Sequence, residues 1–167
     1  LRPGKAADVL LLSSADGGGE LKLLIRGYRT SPPSGEEDGD SGAPLGDVHA
    51  IADHLWKTLR GTDNLVFADR RADVELYADL LVRRSEHERV PNEFFAHHGS
   101  LSREIREDVE SRLKKDVPGP VTVVCTSTLE MGIDIGSVKS VAQVGTPGSV
   151  AGLRQRVGRS GRRAGEP

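Results

Sequence analysis

Arginines are concentrated near the end of the sequence, in the stretch QRVGRSGRR at residues 155–163. Arg156, Arg159 and Arg162 follow one another at three-residue steps, which on a helix places them on roughly one side. Facing a triphosphate, Arg159 and Arg162 would neutralise charge developing on a transferred phosphoryl group, an effect of ~10³ to 10⁵ in rate. The alternative is a solvated basic helix end, where arginine suits the helix dipole. The glycines inside the stretch are poor helix formers and favour the close approach of a ligand.

Three hydroxyl residues follow the apolar run VTVVC, at the start of the stretch TSTLEMGIDIG, residues 126–136. The side chains and amides of Thr126, Ser127 and Thr128 could bind a phosphate of a nucleic-acid backbone. Further along, Gly132 lets the backbone approach a ligand closely, and Asp134 could accept hydrogen bonds from a ribose. An equally good interpretation makes this segment a plain connection in which Asp134 caps a turn.

Two further segments join a strand to a helix. In FADRRADVE, Asp69 and Arg70 stand where a side chain could touch phosphate, although the arginine could also be merely solvated. In AHHGSLSREIRE, Gly99 and Ser100 precede a helix whose amino-terminal amides favour an anion. The histidine pair before them has no further ligand at metal spacing, so we predict no metal site and a hydrogen-bonding role for His98.

The apolar pattern predicts strands alternating with helices. Strands are predicted at 64–68, 93–98, 121–126 and 138–145, and helices at 48–59, 71–86, 102–115 and 149–159. This alternation is typical of right-handed βαβ units around a mainly parallel sheet, and the unbroken apolar strands suit a sheet covered on both faces. Ligands bind such α/β folds at the carboxyl ends of the strands.

Within the third predicted helix, Ser102 is the expected N-cap, and Ile105, Val109 and Leu113 are expected to point inward. Residues 1–47 are predicted to be a separate unit. It contains an N-terminal hairpin from the runs at 7–14 and 20–28, followed by a Gly-, Pro- and acid-rich linker at 31–47.

Composition narrows the class of protein. The formal charge is -2, so any nucleic-acid binding must come from a local basic patch. The single cysteine, Cys125, lies in an apolar strand, where we expect a buried, inert thiol, and it suits a cytoplasmic location.

No G-x-x-x-x-G-K-[ST] or D-E-x-[DH] motif occurs, so the chain supplies only part of any NTP site. Because it begins at Leu1, we expect it to be part of a longer protein.

The order LVFADRRADVE, AHHGSLSREIRE, TVVCTSTLEMGIDIG and LRQRVGRSGRR resembles motifs IV, IVa, V and VI of superfamily 2 DEAD/DEAH-box helicases. It is most similar to the second RecA-like, or helicase C-terminal, domain of Lhr-like ATP-dependent helicases. The resemblance implies a RecA-like three-layer sandwich over residues 48–167. It also implies that residues 1–47 connect from a first RecA-like domain, which would bind most of the ATP and Mg²⁺.

The resemblance also implies roles for individual residues. Arg159 and Arg162 would be the catalytic arginines that reach the triphosphate. Residues expected at the ATP site are Gly132 and Asp134, near the ribose, and Gln155 and Arg156, which would lie near the γ-phosphate or brace the site. Residues expected along the DNA or RNA backbone are Asp69, Arg70, Gly99, Ser100, Thr126, Ser127 and Thr128. The last motif reads SGRR where the Lhr group often has Gly-His, so the subfamily stays open.

The function predicted from this resemblance is half of an ATP-dependent DNA or RNA helicase, and we expect the chain alone to be inactive because the phosphate loop and DEAD/DEAH motif are absent. Two alternatives share the motifs. One is a translocase or remodeller that does not separate strands, and the other is a non-catalytic nucleic-acid-binding module. Arg159 and Arg162 argue against the second, because a domain without a triphosphate partner gains nothing from them.

Overall fold

Strands and helices alternate along the chain as the apolar pattern predicts. The computed structural model describes residues 11–12, 21–28, 45–130 and 138–160. The strands are β1 (Leu11–Leu12), β2 (Leu21–Lys22), β3 (Asn64–Phe67), β4 (Phe94–His97), β5 (Thr122–Cys125) and β6 (Ser140–Gln143). The helices are α1 (Leu45–Leu59), α2 (Arg71–His87), α3 (Arg103–Leu113) and α4 (Val150–Val157), with a 3-10 turn at Ser127–Leu129.

Strands β3 to β6 form one sheet in the order β4-β5-β3-β6, and every neighbouring pair is parallel. Phe67 pairs with both Cys125 and Gln143, and Cys125 also pairs with His97, so the four strands end level with one another. Their carboxyl ends therefore share one edge of the sheet, where side chains from four different loops can meet.

Helices cover both faces of this sheet. Alternate strand residues point to opposite sides, and because both sets are apolar, each face packs against helices. Val66 and Val124 face α1 and α2 in one apolar cluster. Leu65 and Phe67 face α3 in the other. Since both faces are buried, the central strands are apolar throughout, and the predicted α/β class with a parallel sheet between two helical layers is confirmed.

Ser102 caps α3 as predicted, accepting a hydrogen bond from the amide of Ile105 at 3.4 Å. The inward placement predicted for Ile105 is wrong, because half of that residue is exposed, whereas Val109 and Leu113 are buried. Glu110 of α3 already lies beside His97, the last residue of β4. Ile105, more than one turn earlier, therefore extends beyond the end of the sheet and has no strand to cover it.

The predicted linker at 31–47 is wrong at its end, because α1 begins at Leu45. Asp47 lies in the first turn of α1, where a carboxylate is stabilised by the helix dipole. Residues 29–44 lie outside the described residues. Nearer the amino terminus, β1 and β2 pair antiparallel, as a hairpin requires.

At the opposite, amino-terminal edge of the sheet, Asn64 joins three strands. Its side-chain nitrogen donates to Leu59 O at 2.7 Å and to Thr122 Oγ1 at 2.9 Å, and its Oδ1 accepts from Ser140 Oγ at 2.7 Å. Asn64 is fully buried, so these bonds replace those it would make with water. This edge therefore carries structural hydrogen bonds that join the strands where they begin.

Candidate functional site

The carboxyl edge of the sheet brings together the loops in which the sequence placed its candidate residues. Asp69 follows β3, Gly99 follows β4, Thr126 follows β5 and Gly145 follows β6. Gly145 adopts a φ of +79°, which favours glycine, and a Cβ added there would lie 3.8 Å from Asp69 Oδ2. The loops after β3 and β6 therefore approach each other closely.

Arg156 is the buried centre of this edge. Its Nε donates to the Glu130 carboxylate and its Nη1 donates to Gln143 Oε1. The guanidinium also lies 5.0 Å from the centre of the Phe67 ring and 3.6 Å from Asp69 Oδ1. Only 7% of the residue is exposed. Of the two possibilities for Arg156, contact with phosphate or support of the site, this geometry favours support.

Arg159 lies just beyond α4, which ends at Val157 with Gly158 as its C-cap. Its Nε donates to the backbone carbonyl of Glu130 at 3.0 Å, and its Nη2 donates to the same oxygen. The predicted helix to residue 159 is thus two residues too long, although the amide of Arg159 donates to the carbonyl of Arg156 at 3.0 Å and so continues the turn. The two arginines meet at Glu130, one at its carboxylate and one at its carbonyl.

Several predicted residues near ATP are not tested by this geometry. Gln155 is exposed on α4. Gly132, Asp134 and Arg162 lie outside the described residues. Their roles stay predictions that rest on the sequence resemblance.

The hydroxyl residues after β5 form a short turn above the strand ends. Thr126 donates through Oγ1 to Thr128 Oγ1 at 3.5 Å, and Thr128 Oγ1 lies 3.1 Å from His97 Nδ1. The amide of Thr126 donates to His97 O at 3.4 Å. Ser127 is exposed at the start of this turn. The turn is therefore tied to the end of the neighbouring strand β4.

The two adjacent histidines point to opposite faces of the sheet. His97 Nε2 lies 3.1 Å from Glu110 of α3, and His98 Nε2 lies 3.1 Å from Glu75 of α2. The second contact lacks hydrogen-bond alignment, although His98 Nδ1 accepts the amide of Ser100 at 3.3 Å. Two rings directed apart cannot share one ion. Across the described ranges, no three His, Cys, Asp or Glu side chains are grouped to hold a metal.

A basic, exposed surface flanks the 3-10 turn at Ser127–Leu129. Arg70 and Asp69 are both exposed, and Arg71 donates through Nη1 to Ser100 Oγ, joining the start of α2 to the loop after β4. Helix α2 has no side-chain cap at its amino end, where Arg70 is the N-cap. Uncapped amides and flanking guanidinium groups are suited to an anion such as a phosphate.

Sequence reasoning missed Glu130 and Gln143, the partners of Arg156. An acid between the hydroxyl cluster and Gly132 was visible, but only the fold shows that it meets an arginine 26 positions later. Cys125 is fully buried, as predicted, and burial raises the pKa of its thiol, which disfavours the thiolate that a nucleophile needs. None of the described helices is long and apolar enough to cross a bilayer.

The family of the helicase conserved C-terminal domain matches residues 47–164. The ATP-dependent helicase Lhr-Core of Saccharolobus solfataricus is 45% identical over 115 residues, which is 64% of this chain and 13% of that protein. The structure of Mycobacterium smegmatis helicase Lhr bound to ssDNA and AMP-PNP has a TM-score of 0.60 and 38% identity, covering 77% of this chain and 17% of that one. The DUF1998 helicase MrfA bound to DNA gives a TM-score of 0.59 at 30% identity, covering 71% and 15% of the two chains. The chain thus spans a small part of each relative.

Proposed function

This chain belongs to the helicase conserved C-terminal domain family, as its motifs predicted, and on that premise we propose that it is the second RecA-like domain of an Lhr-like, ATP-dependent nucleic-acid helicase. Its partner would be a first RecA-like domain of the same protein. That domain would supply the phosphate loop and the acidic residues for Mg²⁺, neither of which occurs here.

The observation that carries this proposal is the placement of Arg159. Its guanidinium is held by the Glu130 carbonyl at the edge where the parallel strands end, and Glu130 is itself held by buried Arg156. A guanidinium fixed in advance stabilises developing charge without reorganising during the reaction. Arg159 and Arg162 would thus be the arginine fingers, and Arg156 would brace them.

The residues present fit an ATP site only as one half of it. Permanently charged guanidinium groups suit a triphosphate, but Arg156 is buried and its Nε and Nη1 already donate to Glu130 and Gln143. When bound between the two domains, ATP would supply the phosphoryl-transfer chemistry. This chain would contribute positive charge from Arg159 and Arg162, with Gln155, Gly132 and Asp134 lining its side of the cleft.

The nucleic-acid backbone would follow the exposed surface between the 3-10 turn and the start of α2. Contacts to phosphate would come from the turn that Thr126, Ser127 and Thr128 form, through its amides and an exposed hydroxyl, from Gly99 and Ser100, and from Arg70. Arg71 would add positive charge at this surface, because its hydrogen bond to Ser100 places its guanidinium beside the loop after β4. Asp69 only accepts hydrogen bonds when ionised, so it would face a donor on a sugar or base rather than a phosphate oxygen.

The test is nucleic-acid-stimulated ATP hydrolysis by the full-length parent protein. Arg159→Ala and Arg162→Ala should each lower turnover by ~10² or more while nucleotide binding changes little. Arg154→Ala, an exposed arginine of α4, is the matched control and should behave like the wild type. Wild-type turnover in both finger variants would refute the proposal. A strand-separation assay then distinguishes a helicase from a translocase that leaves the duplex intact.

A further inference from the structure

A buried histidine connects helix α3 to the turn that carries the hydroxyl residues. His97 is 1% exposed, and its two ring nitrogens have different partners. Nε2 lies 3.1 Å from Glu110 Oε1, and Nδ1 lies 3.1 Å from Thr128 Oγ1. Thr128 in turn accepts the hydroxyl hydrogen of Thr126 at 3.5 Å. These four side chains form one continuous hydrogen-bonded row from α3 to the surface.

The row engages the hydroxyl groups of both threonines. A carboxylate oxygen only accepts hydrogen bonds, so Nε2 of His97 donates to Glu110. On the other side of the ring, Nδ1 and Thr128 Oγ1 share a hydrogen bond at 3.1 Å. Thr126 directs its hydroxyl hydrogen at Thr128 Oγ1. Both threonine hydroxyls are therefore engaged within the row rather than directed at an outside acceptor such as phosphate.

Ser127 stands apart from this row. It is exposed, and within the described part of the chain its hydroxyl has no hydrogen-bond partner. With its two neighbours committed inward, Ser127 is the side chain of the cluster that can still donate outward. The row thus divides three similar residues into two that hold the turn and one that is available for a contact.

We propose that His97, oriented by Glu110, is a positioning residue that fixes the turn so that Ser127 and the turn amides meet the nucleic-acid backbone. This inference rests on the proposed function and refines it. Of the three hydroxyl residues, Ser127 makes the phosphate contact, whereas Thr126 and Thr128 hold the turn in place. Loss of the row weakens the binding of nucleic acid and leaves the hydrolysis step intact.

The experiment measures ATP hydrolysis by the full-length parent as a function of single-stranded oligonucleotide concentration. In His97→Gln, Glu110→Ala and Thr128→Val, the half-saturating oligonucleotide concentration should rise about tenfold, as expected for a lost buried hydrogen bond. Turnover at saturating oligonucleotide should change by less than about twofold. Glu107→Ala is the control, because it removes an exposed carboxylate of the same helix that pairs only with Arg103 within the described residues.

Two further measurements separate positioning from general damage. In the double variant His97→Gln/Thr128→Val, the half-saturating concentration should stay within about twofold of either single variant, because both changes break the same row. Glu110→Gln, which keeps an acceptor, should restore part of the affinity lost in Glu110→Ala. If His97→Gln does not fold, Glu110 and Thr128 are only partly buried, and their variants test the same row.

Two results would overturn the positioning role. One is a half-saturating oligonucleotide concentration in the double variant that rises by the product of the two single effects. The other is a fall in turnover at saturating oligonucleotide while the half-saturating concentration is unchanged. Anisotropy of a labelled oligonucleotide without ATP measures binding directly. If the wild type binds and is stimulated but the row variants bind as tightly, only this inference fails. If the wild type binds no oligonucleotide, the proposed function fails, and the inference fails with it.

Discussion

Arg159 donates its Nε hydrogen to the backbone carbonyl of Glu130 across 3.0 Å, while the carboxylate of the same glutamate accepts a hydrogen from Arg156. One residue in the loop after β5 thus holds two arginines of the last described segment. The main chain of Glu130 positions the more exposed arginine, and its side chain neutralises the buried one.

Glu130→Ala should lower the free energy of unfolding by about 3 kcal/mol, because it removes the carboxylate to which the buried guanidinium of Arg156 donates and leaves it the more distant carboxylate of Asp69, at 3.6 Å. The Arg156 side chain is 9% exposed, so water cannot replace that partner fully. Urea denaturation of the 167-residue chain measures the change. Glu86→Ala, at an exposed position of α2, is the control and should stay within about 0.5 kcal/mol of the wild type. A similar small change in Glu130→Ala would contradict the arrangement.

Arg71→Ala should weaken oligonucleotide binding and also its dependence on salt. Each phosphate contact that is lost makes the slope of log K against log salt less steep by about 0.7 for single strands. The measurement is the anisotropy of a labelled oligonucleotide at several salt concentrations with the full-length parent. Arg83→Ala changes an exposed arginine on the same helix, three turns from the edge, and should leave the slope unaltered. Equal slopes for Arg71→Ala and the wild type would exclude this contact.

The stability of the chain should fall at alkaline pH through Tyr77. Burial, then the charges of Asp47 and Asp73, raises the pKa of Tyr77 to about 12. The pKa of an unfolded tyrosine is about 10, so the folded state favours the neutral phenol. This contribution is complete below pH 10 and is lost as the pH rises through the folded pKa.

The measurement is urea unfolding of the wild type and Tyr77→Phe between about pH 9 and pH 11.5. The variant should lose less stability over this range. Tyr28→Phe serves as the comparison, because burial also raises the pKa of Tyr28, although that residue is only half-buried. This substitution should therefore change the pH dependence of the stability less than Tyr77→Phe does. Parallel curves for the wild type and Tyr77→Phe would show that the phenol does not titrate between these states.

Cys125 should not react with a thiol reagent at about pH 8 while the chain is folded. It is fully buried, and burial raises the pKa of its thiol, so the thiolate is suppressed. In urea, the 167-residue chain should take up one equivalent, because it has a single cysteine. A thiol reagent that releases a chromophore on reaction allows absorbance to follow the labelling of the folded chain and of the chain in urea. Rapid labelling without urea would mean that β5 opens readily.

The order of strands and helices, the parallel sheet and the edge with the candidate residues could all be predicted from the sequence. The sequence features that predict them are local. An apolar run such as residues 121–126 indicates a strand that is buried on both faces, whichever elements pack against it. The pairing of Arg156 with Glu130 could not be predicted, because it depends on where two loops meet. The exposure of Ile105 was missed for a similar reason, since helical periodicity does not reveal where the sheet beneath a helix ends.

The bonds of Asn64 have a consequence for how the chain selects its final strand pairing. Parallel strands rich in valine and leucine have similar apolar contacts when they slip by two residues, so burial alone discriminates poorly between registers. A slipped β3 would leave the buried amide of Asn64 away from Thr122 and Ser140 with no water to replace them. A single polar side chain at the start of the central strand thus penalises misaligned sheets during folding, and the register it selects is the one that brings the four loops of the functional edge level.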